Sequence, residues 1–130
     1  INIMTYEIDK KYSSYIDKHI ESFDFIRNKE KFNFIPAFLN TIYGYRVLIE
    51  ILKLNNQSLL GEDNICTKEH LTKVMASLAS RATIINFIND QISAGSLVSN
   101  DSKCDGRVKI ILPSLTLINE FKLWIDVSYS

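Results

Sequence analysis

Apolar and aromatic side chains recur at helical spacing over most of this 130-residue chain. Residues 5–29 predict a long amphipathic helix with one broad apolar face and charged residues between its positions. A second helix is predicted from Pro36, a residue suited to a first helical turn, to about Leu54. A third is predicted to follow Thr67, a good N-cap residue, and a last helix covers 114–128. The pattern predicts a mainly helical fold that forms one domain over residues 1–130.

The stretch after residue 79 predicts one more helix, which ends at a glycine. Ser80 is a candidate N-cap, since its hydroxyl can accept a backbone N–H from the first turn. Gly95 suits the left-handed conformation that closes a helix. Between them, an apolar stripe recurs at helical spacing; it consists of Ile84, Phe87, Ile88 and Ile92.

A β-hairpin is predicted directly after this helix. One strand begins at Leu97, and the turn formers of 100–106 end it. Ile65 and Cys66 are a candidate short strand that pairs with the hairpin. Alternation in the return strand predicts one buried face, made by Val108, Ile110 and Leu112.

The order of helix, glycine and hairpin is that of the second half of a winged helix-turn-helix. Ser80 and Thr83 stand in a Ser-x-x-Thr pattern at the start of the helix, and the hairpin tip carries Asp105-Gly106-Arg107. With the glycine at 95 and these spacings, the chain resembles the MarR family of bacterial winged-helix transcription regulators over roughly residues 41–118. It departs from the family in having Pro113-Ser114 where Leu-Thr is usual, and Gln91 where an apolar residue is expected.

The resemblance implies a mainly α fold with a small β-wing. The helix-turn-helix would occupy 67–94 and the wing 96–112. The terminal helices at 5–29 and 114–128 would be dimerisation helices. The implied function is sequence-specific binding of double-stranded DNA by a dimeric, cytoplasmic regulator at a pseudo-palindromic site.

The recognition helix would enter the major groove with its N-terminal residues against the base edges. Arg81 would contact guanine or a phosphate, and the hydroxyls of Ser80 and Thr83 would contact phosphates. Asn86 and Asn89 carry amides suited to adenine. The alternative is that these side chains form only the solvated side of an amphipathic helix.

The wing has its own expected roles. In the family the wing arginine enters the minor groove and the aspartate of the motif helps to hold the wing, which implies these roles for Arg107 and Asp105. Gly106 lies between them in the motif. Lys103 and Lys109 would lie along the DNA backbone.

The apolar face of the first helix predicts an interface, because a large exposed apolar stripe on a small domain usually marks one. The alternative is packing on its own domain. The family also implies a small aromatic or acidic effector bound between the dimer helices and the winged helix. The candidate cleft residues, which the alternative assigns to ordinary core, are Tyr12, Tyr15, Phe38, Tyr43 and Tyr45.

The net charge of zero weakens the hypothesis of DNA binding, because 15 basic residues balance 15 acidic ones. Nucleic-acid binders commonly carry a basic patch. Within 67–109 there are six basic and four acidic residues, a small bias of the expected sign. The rival hypothesis is a winged helix that serves as a protein-interaction or assembly module without DNA binding.

Catalysis, cofactors and membrane insertion are not expected. The two histidines lack metal-ligand spacing, and no phosphate-cradling glycine-rich loop or Gly-x-Ser-x-Gly occurs. Cys66 and Cys104 are expected to be ordinary thiols, with a redox sensor as the alternative for Cys104 beside Lys103 and Arg107. No apolar run approaches the length of a membrane helix.

Overall fold

In a computed structural model that describes residues 10–102 and 106–129, the described chain forms six α-helices and one β-hairpin. A short 3₁₀ turn, Lys10–Tyr12, leads into the first helix. The elements in chain order are α1 (Ser13–Ile26), α2 (Ile35–Leu39), α3 (Ile42–Leu59), α4 (Lys68–Val74), α5 (Arg81–Ala94), β1 (Leu97–Asp101), β2 (Lys109–Pro113) and α6 (Leu115–Tyr129). The mainly helical fold with a small two-stranded sheet is therefore confirmed.

The helix predicted from Pro36 to about Leu54 is two helices, so this prediction is wrong at residues 40–41. Thr41 has an extended backbone, and its Oγ1 accepts a hydrogen bond from Gly44 N at 3.0 Å. This cap starts α3, which then continues to Leu59. The first helix also differs from its predicted bounds, because α1 begins at Ser13 after the 3₁₀ turn and ends at Ile26. Residues 5–9 of the predicted helix lie outside the described residues.

The predicted N-caps of α4, α5 and α6 and the predicted end of α5 are confirmed. Thr67 Oγ1 accepts from His70 N at 3.0 Å, and Ser80 Oγ accepts from Thr83 N at 3.2 Å. Gly95 closes α5 at a φ of 94°, a left-handed conformation that glycine adopts without a Cβ penalty. Ser114 Oγ accepts the Leu117 N–H at 3.1 Å at the start of α6.

The hairpin pairs β1 and β2 antiparallel, with Leu97 opposite Pro113 and Asp101 opposite Lys109. The prediction of a single buried face at 108, 110 and 112 is wrong: Ile111 is fully buried, and Val108 is exposed. Both faces of β2 are partly covered because the strand packs on α3 and α4 as well as on β1. The segment at 65–66 is not a strand, although the Ile111 N–H donates to the Cys66 carbonyl oxygen at 2.7 Å.

The core lies between α3, α5, the hairpin and α6. A Cβ on Gly44 would lie 2.8 Å from the Phe38 carbonyl oxygen and 3.3 Å from Phe87 Cζ, so the missing side chain lets α2 and α5 approach α3 closely. Gln91 is buried where an apolar residue was expected, and its Oε1 accepts from Ser96 Oγ at 2.9 Å. The largest fully buried side chains include Phe38, Leu48, Ile51, Leu71, Ile84, Ile88, Ile111 and Leu117.

The two terminal helices pack against each other within the chain. Trp124 Nε1 donates to Ser22 Oγ at 2.7 Å, and the hydroxyls of Ser22 and Ser128 are 2.6 Å apart. The opposite side of α1 is an exposed apolar face. We refer to this surface as the α1 apolar face, which consists of Tyr12, Tyr15, Ile16, Ile20 and Phe23.

Candidate nucleic-acid interface

The start of α5 brings together three of the predicted DNA-contacting residues. Ser80 takes an extended conformation as the N-cap, and Arg81 is the first residue of the helix. The Ser80 hydroxyl also donates to Thr83 Oγ1 at 2.9 Å. The Ser80 hydroxyl therefore bonds both the hydroxyl and the backbone N–H of Thr83, the third residue of the helix.

The exposed side of α5 continues from this end. Asn86 and Asn89 are both exposed, and their spacing of three places them on one side of the helix. Asp90 is exposed next to them, so this side carries amides and one carboxylate. Within α5, the only basic residue is Arg81.

Arg81 is engaged by the carboxylate of Glu69, a contact that no local sequence pattern indicates. Its Nη1 donates to Glu69 Oε2 at 2.7 Å, its Nη2 donates to Glu69 Oε1, and Nη1 also approaches Thr72 Oγ1 at 3.4 Å. The hydrogen bonds from Arg81 lower the pKa of Glu69, and Glu69 raises the pKa of Arg81. Both side chains are exposed, at 61% for Arg81 and 59% for Glu69, so the pair lies on the surface across the turn between α4 and α5.

The hairpin presents a second ion pair. Lys109 Nζ donates to Asp101 Oδ1 across the paired ends of β2 and β1. Gly106 and Arg107 are exposed at the end of the hairpin. Lys103 and Asp105 lie outside the described residues, so the roles predicted for them remain predictions.

The five aromatic residues expected to line an effector cleft lie in three separate places within the chain. Tyr12 and Tyr15 are on the α1 apolar face. Phe38 is fully buried, and Phe38 and Tyr43 each pack edge-on against Phe87 at 5.5 Å. Both rings therefore lie against α5, which carries Phe87.

Tyr45 lies apart from the other four aromatics and borders a cavity. Its ring packs edge-on against Trp124 at 6.4 Å, and the cavity of about 270 Å³ lies between α1, α3 and α6. Lys18, Ser22 and Trp124 also line it. This volume is slightly below the roughly 300–1,000 Å³ of typical ligand pockets.

A hydrogen-bonded cluster around the buried Glu50 connects α3 to α4. Glu50 accepts hydrogen bonds from Arg46 Nη1 at 2.8 Å and from His70 Nε2 at 2.9 Å. Burial acts to raise the pKa of Glu50, but the hydrogen bonds from His70 and Arg46 outweigh it and the pKa is lowered. Glu50 lies on the apolar side of α3, between Val47 and Leu54. A carboxylate at such a position is the sequence signal that could have predicted a buried, hydrogen-bonded glutamate.

Cys66 lies beside this cluster and is fully buried. Two effects raise the pKa of its thiol to about 12: burial is the larger, and the charge of Glu50 is the smaller. A thiol with such a pKa carries almost no thiolate at neutral pH, so it is a poor nucleophile. Cys104 lies outside the described residues.

No family model matches the chain, and neither does any curated protein or solved structure. In the part of the chain that the structure describes, no three His, Cys, Asp or Glu side chains are grouped so as to hold a metal ion. Over the same residues, every helix is too short or too polar to cross a lipid bilayer.

Proposed function

We propose that this chain is a winged helix-turn-helix protein that binds double-stranded DNA as a homodimer and regulates transcription. In this proposal α4 and α5 are the helix-turn-helix, and β1 and β2 are the wing. The observation that carries it is the geometry around α5: a capped, exposed helix start at Ser80 and Arg81 is followed, after a glycine stop, by a hairpin that exposes Arg107.

The roles of the α5 residues follow from their exposure. The helix start presents backbone N–H groups and the hydroxyls of Ser80 and Thr83, which are groups that contact phosphates. Asn86 and Asn89 lie further along the exposed side and are able to pair with adenine in the major groove. Arg107 contacts the minor groove in the proposed complex.

Dimerisation is supported by the α1 apolar face. Its large side chains are between 43% and 60% exposed, while the other side of the helix packs on α6. Covering such a face removes a contiguous apolar patch from water. A two-fold dimer would place the two α5 helices in major grooves about one helical turn apart, on a pseudo-palindromic site. The proposed setting is the bacterial cytoplasm.

The proposal is tested by binding to a labelled random-sequence duplex at about 50 and 200 mM salt, because counterion release makes the affinity fall steeply with salt. Each lost phosphate contact reduces the slope of log K against log salt by about 0.9. We expect Arg107→Ala to bind more weakly with a shallower slope. Lys53→Ala, which removes an exposed cation from α3, is the matched control and should bind like the wild type.

Two outcomes would contradict the proposal. One is a wild type that binds no duplex at the lower salt concentration. The other is an equal loss of affinity in Arg107→Ala and Lys53→Ala, which would indicate a non-specific effect of net charge. A folded dimer must be verified for each variant by circular dichroism and sedimentation.

A second candidate is a winged helix that binds another protein, and two ion pairs favour it. Arg81 and Lys109 are both predicted DNA contacts, and each is engaged by a carboxylate of the same chain. These carboxylates partly cancel the attraction of the two cations for a DNA phosphate. This candidate predicts no duplex binding at low salt by a protein that is folded and dimeric in the same buffer.

A further inference from the structure

Glu69 is not among the predicted DNA contacts, but its pairing with Arg81 indicates a role for it. We infer that Glu69 is a positioning residue, which holds the Arg81 side chain against α4 and limits its contact with the phosphate backbone. The inference rests on the proposed DNA-binding function, because the consequence is a weaker and less salt-dependent association with random DNA.

The geometry of the pair carries the inference. Both terminal nitrogens of Arg81 face the two carboxyl oxygens of Glu69, and Nη1 approaches the hydroxyl of Thr72 as a third partner. Single exposed ion pairs constrain side chains weakly, but a bidentate pair fixes the plane of the guanidinium. The side chain of the first residue of α5 is therefore directed back toward α4.

The neighbouring polar groups strengthen this conclusion. Ser80 and Thr83 are hydrogen-bonded to each other, so the polar side chains at the start of α5 are internally paired. Arg81 is also the one cation of α5. With Glu69 in place, this end of α5 therefore has a pair of opposite charges instead of a net positive charge.

Glu69→Gln tests the inference because the amide has a similar shape but cannot neutralise the guanidinium. Arg81 would then be available for one additional phosphate, which steepens the salt slope by about 0.9. We therefore expect the ratio of affinities at 50 and 200 mM salt to rise about 3- to 4-fold above that of the wild type. Glu30→Gln removes an exposed carboxylate from the loop after α1 and is the matched control.

A double-mutant cycle separates positioning from direct repulsion. If Glu69 acts through Arg81, Glu69→Gln has little effect in an Arg81→Ala background. If Glu69→Gln raises the affinity equally in both backgrounds, Glu69 repels phosphate by its own charge and the inference is overturned. An unchanged affinity and slope in Glu69→Gln would overturn it too.

A measurement without DNA distinguishes failure of this inference from failure of the proposed function. In ¹⁵N spectra, bidentate pairing should slow rotation about the Arg81 Nε–Cζ bond and resolve its Nη signals, and Glu69→Gln should average them. Averaged signals in the wild type would overturn the inference whatever the DNA result. Resolved signals, with no duplex bound by any variant, would instead overturn the proposed DNA binding and with it the consequence drawn for Arg81.

Discussion

Glu120 on α6 caps the start of α2, 85 residues earlier in the chain. Its Oε1 accepts hydrogen bonds from Phe34 N at 3.0 Å and from Ile35 N at 3.2 Å. The carboxyl group is buried, and Oε2 has no hydrogen-bond partner among the described residues. One buried oxygen thus replaces the local cap that Phe34 lacks, and it fixes α6 against α2.

Glu120→Ala should lower the free energy of unfolding by about 1–3 kcal/mol, because it leaves two backbone N–H groups without their acceptor. Urea denaturation at neutral pH measures the change. Glu120→Gln keeps an oxygen at the capping position and should lose less. Asn119→Ala, at an exposed position in the same helix, should stay within about 0.5 kcal/mol. An equal loss in the alanine variants at 119 and 120 would contradict the capping role.

Gly44→Ala should destabilise the protein even though alanine is the better helix former by about 1 kcal/mol. The new Cβ would meet the Phe38 carbonyl oxygen at 2.8 Å and Thr41 Oγ1 at 2.9 Å. Relieving this overlap requires the backbone to shift, which costs about 1–3 kcal/mol. Thermal unfolding measures the effect. The same substitution at Gly106, where a Cβ would meet nothing within 4 Å, is the control; a stabilised Gly44→Ala would disprove the close packing.

Glu50→Gln should reduce the pH dependence of stability in acid. The folded-state pKa of Glu50 lies below its ordinary value of 4.5. Its ionised form therefore stabilises the fold above about pH 4.5, and this contribution is lost as the pH falls through the lower folded-state pKa. Hydrogen bonds from His70 and Arg46, together with the charge of Arg46, hold the ionised form.

The measurement is urea denaturation of wild type and Glu50→Gln at several pH values from 7 down to about 3.5. The variant should be less stable by about 1–3 kcal/mol at pH 7, and the difference should narrow in acid. Glu62→Gln, which changes an exposed carboxylate, is the control. A difference that stays constant with pH would show that the charge of Glu50 does not contribute.

Ile20→Asp should weaken the proposed dimer by placing a charge in the centre of the α1 apolar face. Burying an unpaired carboxylate in an interface is costly, so the dissociation constant should rise about tenfold or more. Sedimentation equilibrium measures it. Ile42→Asp makes the same change at an exposed isoleucine of α3 and should leave the dimer intact. A wild type that is monomeric at all accessible concentrations would refute this mode of dimerisation.

Several boundaries of the candidate interface were predictable because each depends on a few adjacent residues. The N-caps at Thr67, Ser80 and Ser114 need only a hydroxyl near the free N–H groups of the first turn. The stop at Gly95 needs only the absence of a Cβ. Both requirements can be read from the amino-acid types and their spacing.

The partners of the charged residues were not predictable in this way. Glu69 and Arg81 are twelve positions apart and meet because the turn after α4 directs α5 back across it. Glu50 and His70 meet because α3 and α4 pack together, although twenty positions separate them. Such contacts depend on the angle between helices, which no local pattern specifies.

The same distinction applies to the whole molecule. By itself, the sequence determined the mainly helical content, the hairpin after residue 95 and most helix ends, because helical periodicity and capping are short-range effects. Only the tertiary structure decided that Phe38 is core, that both faces of β2 are partly covered, and that Arg81 is engaged by Glu69. Those outcomes depend on which elements pack together, and packing is set by the combined burial and hydrogen bonding of residues far apart in the chain.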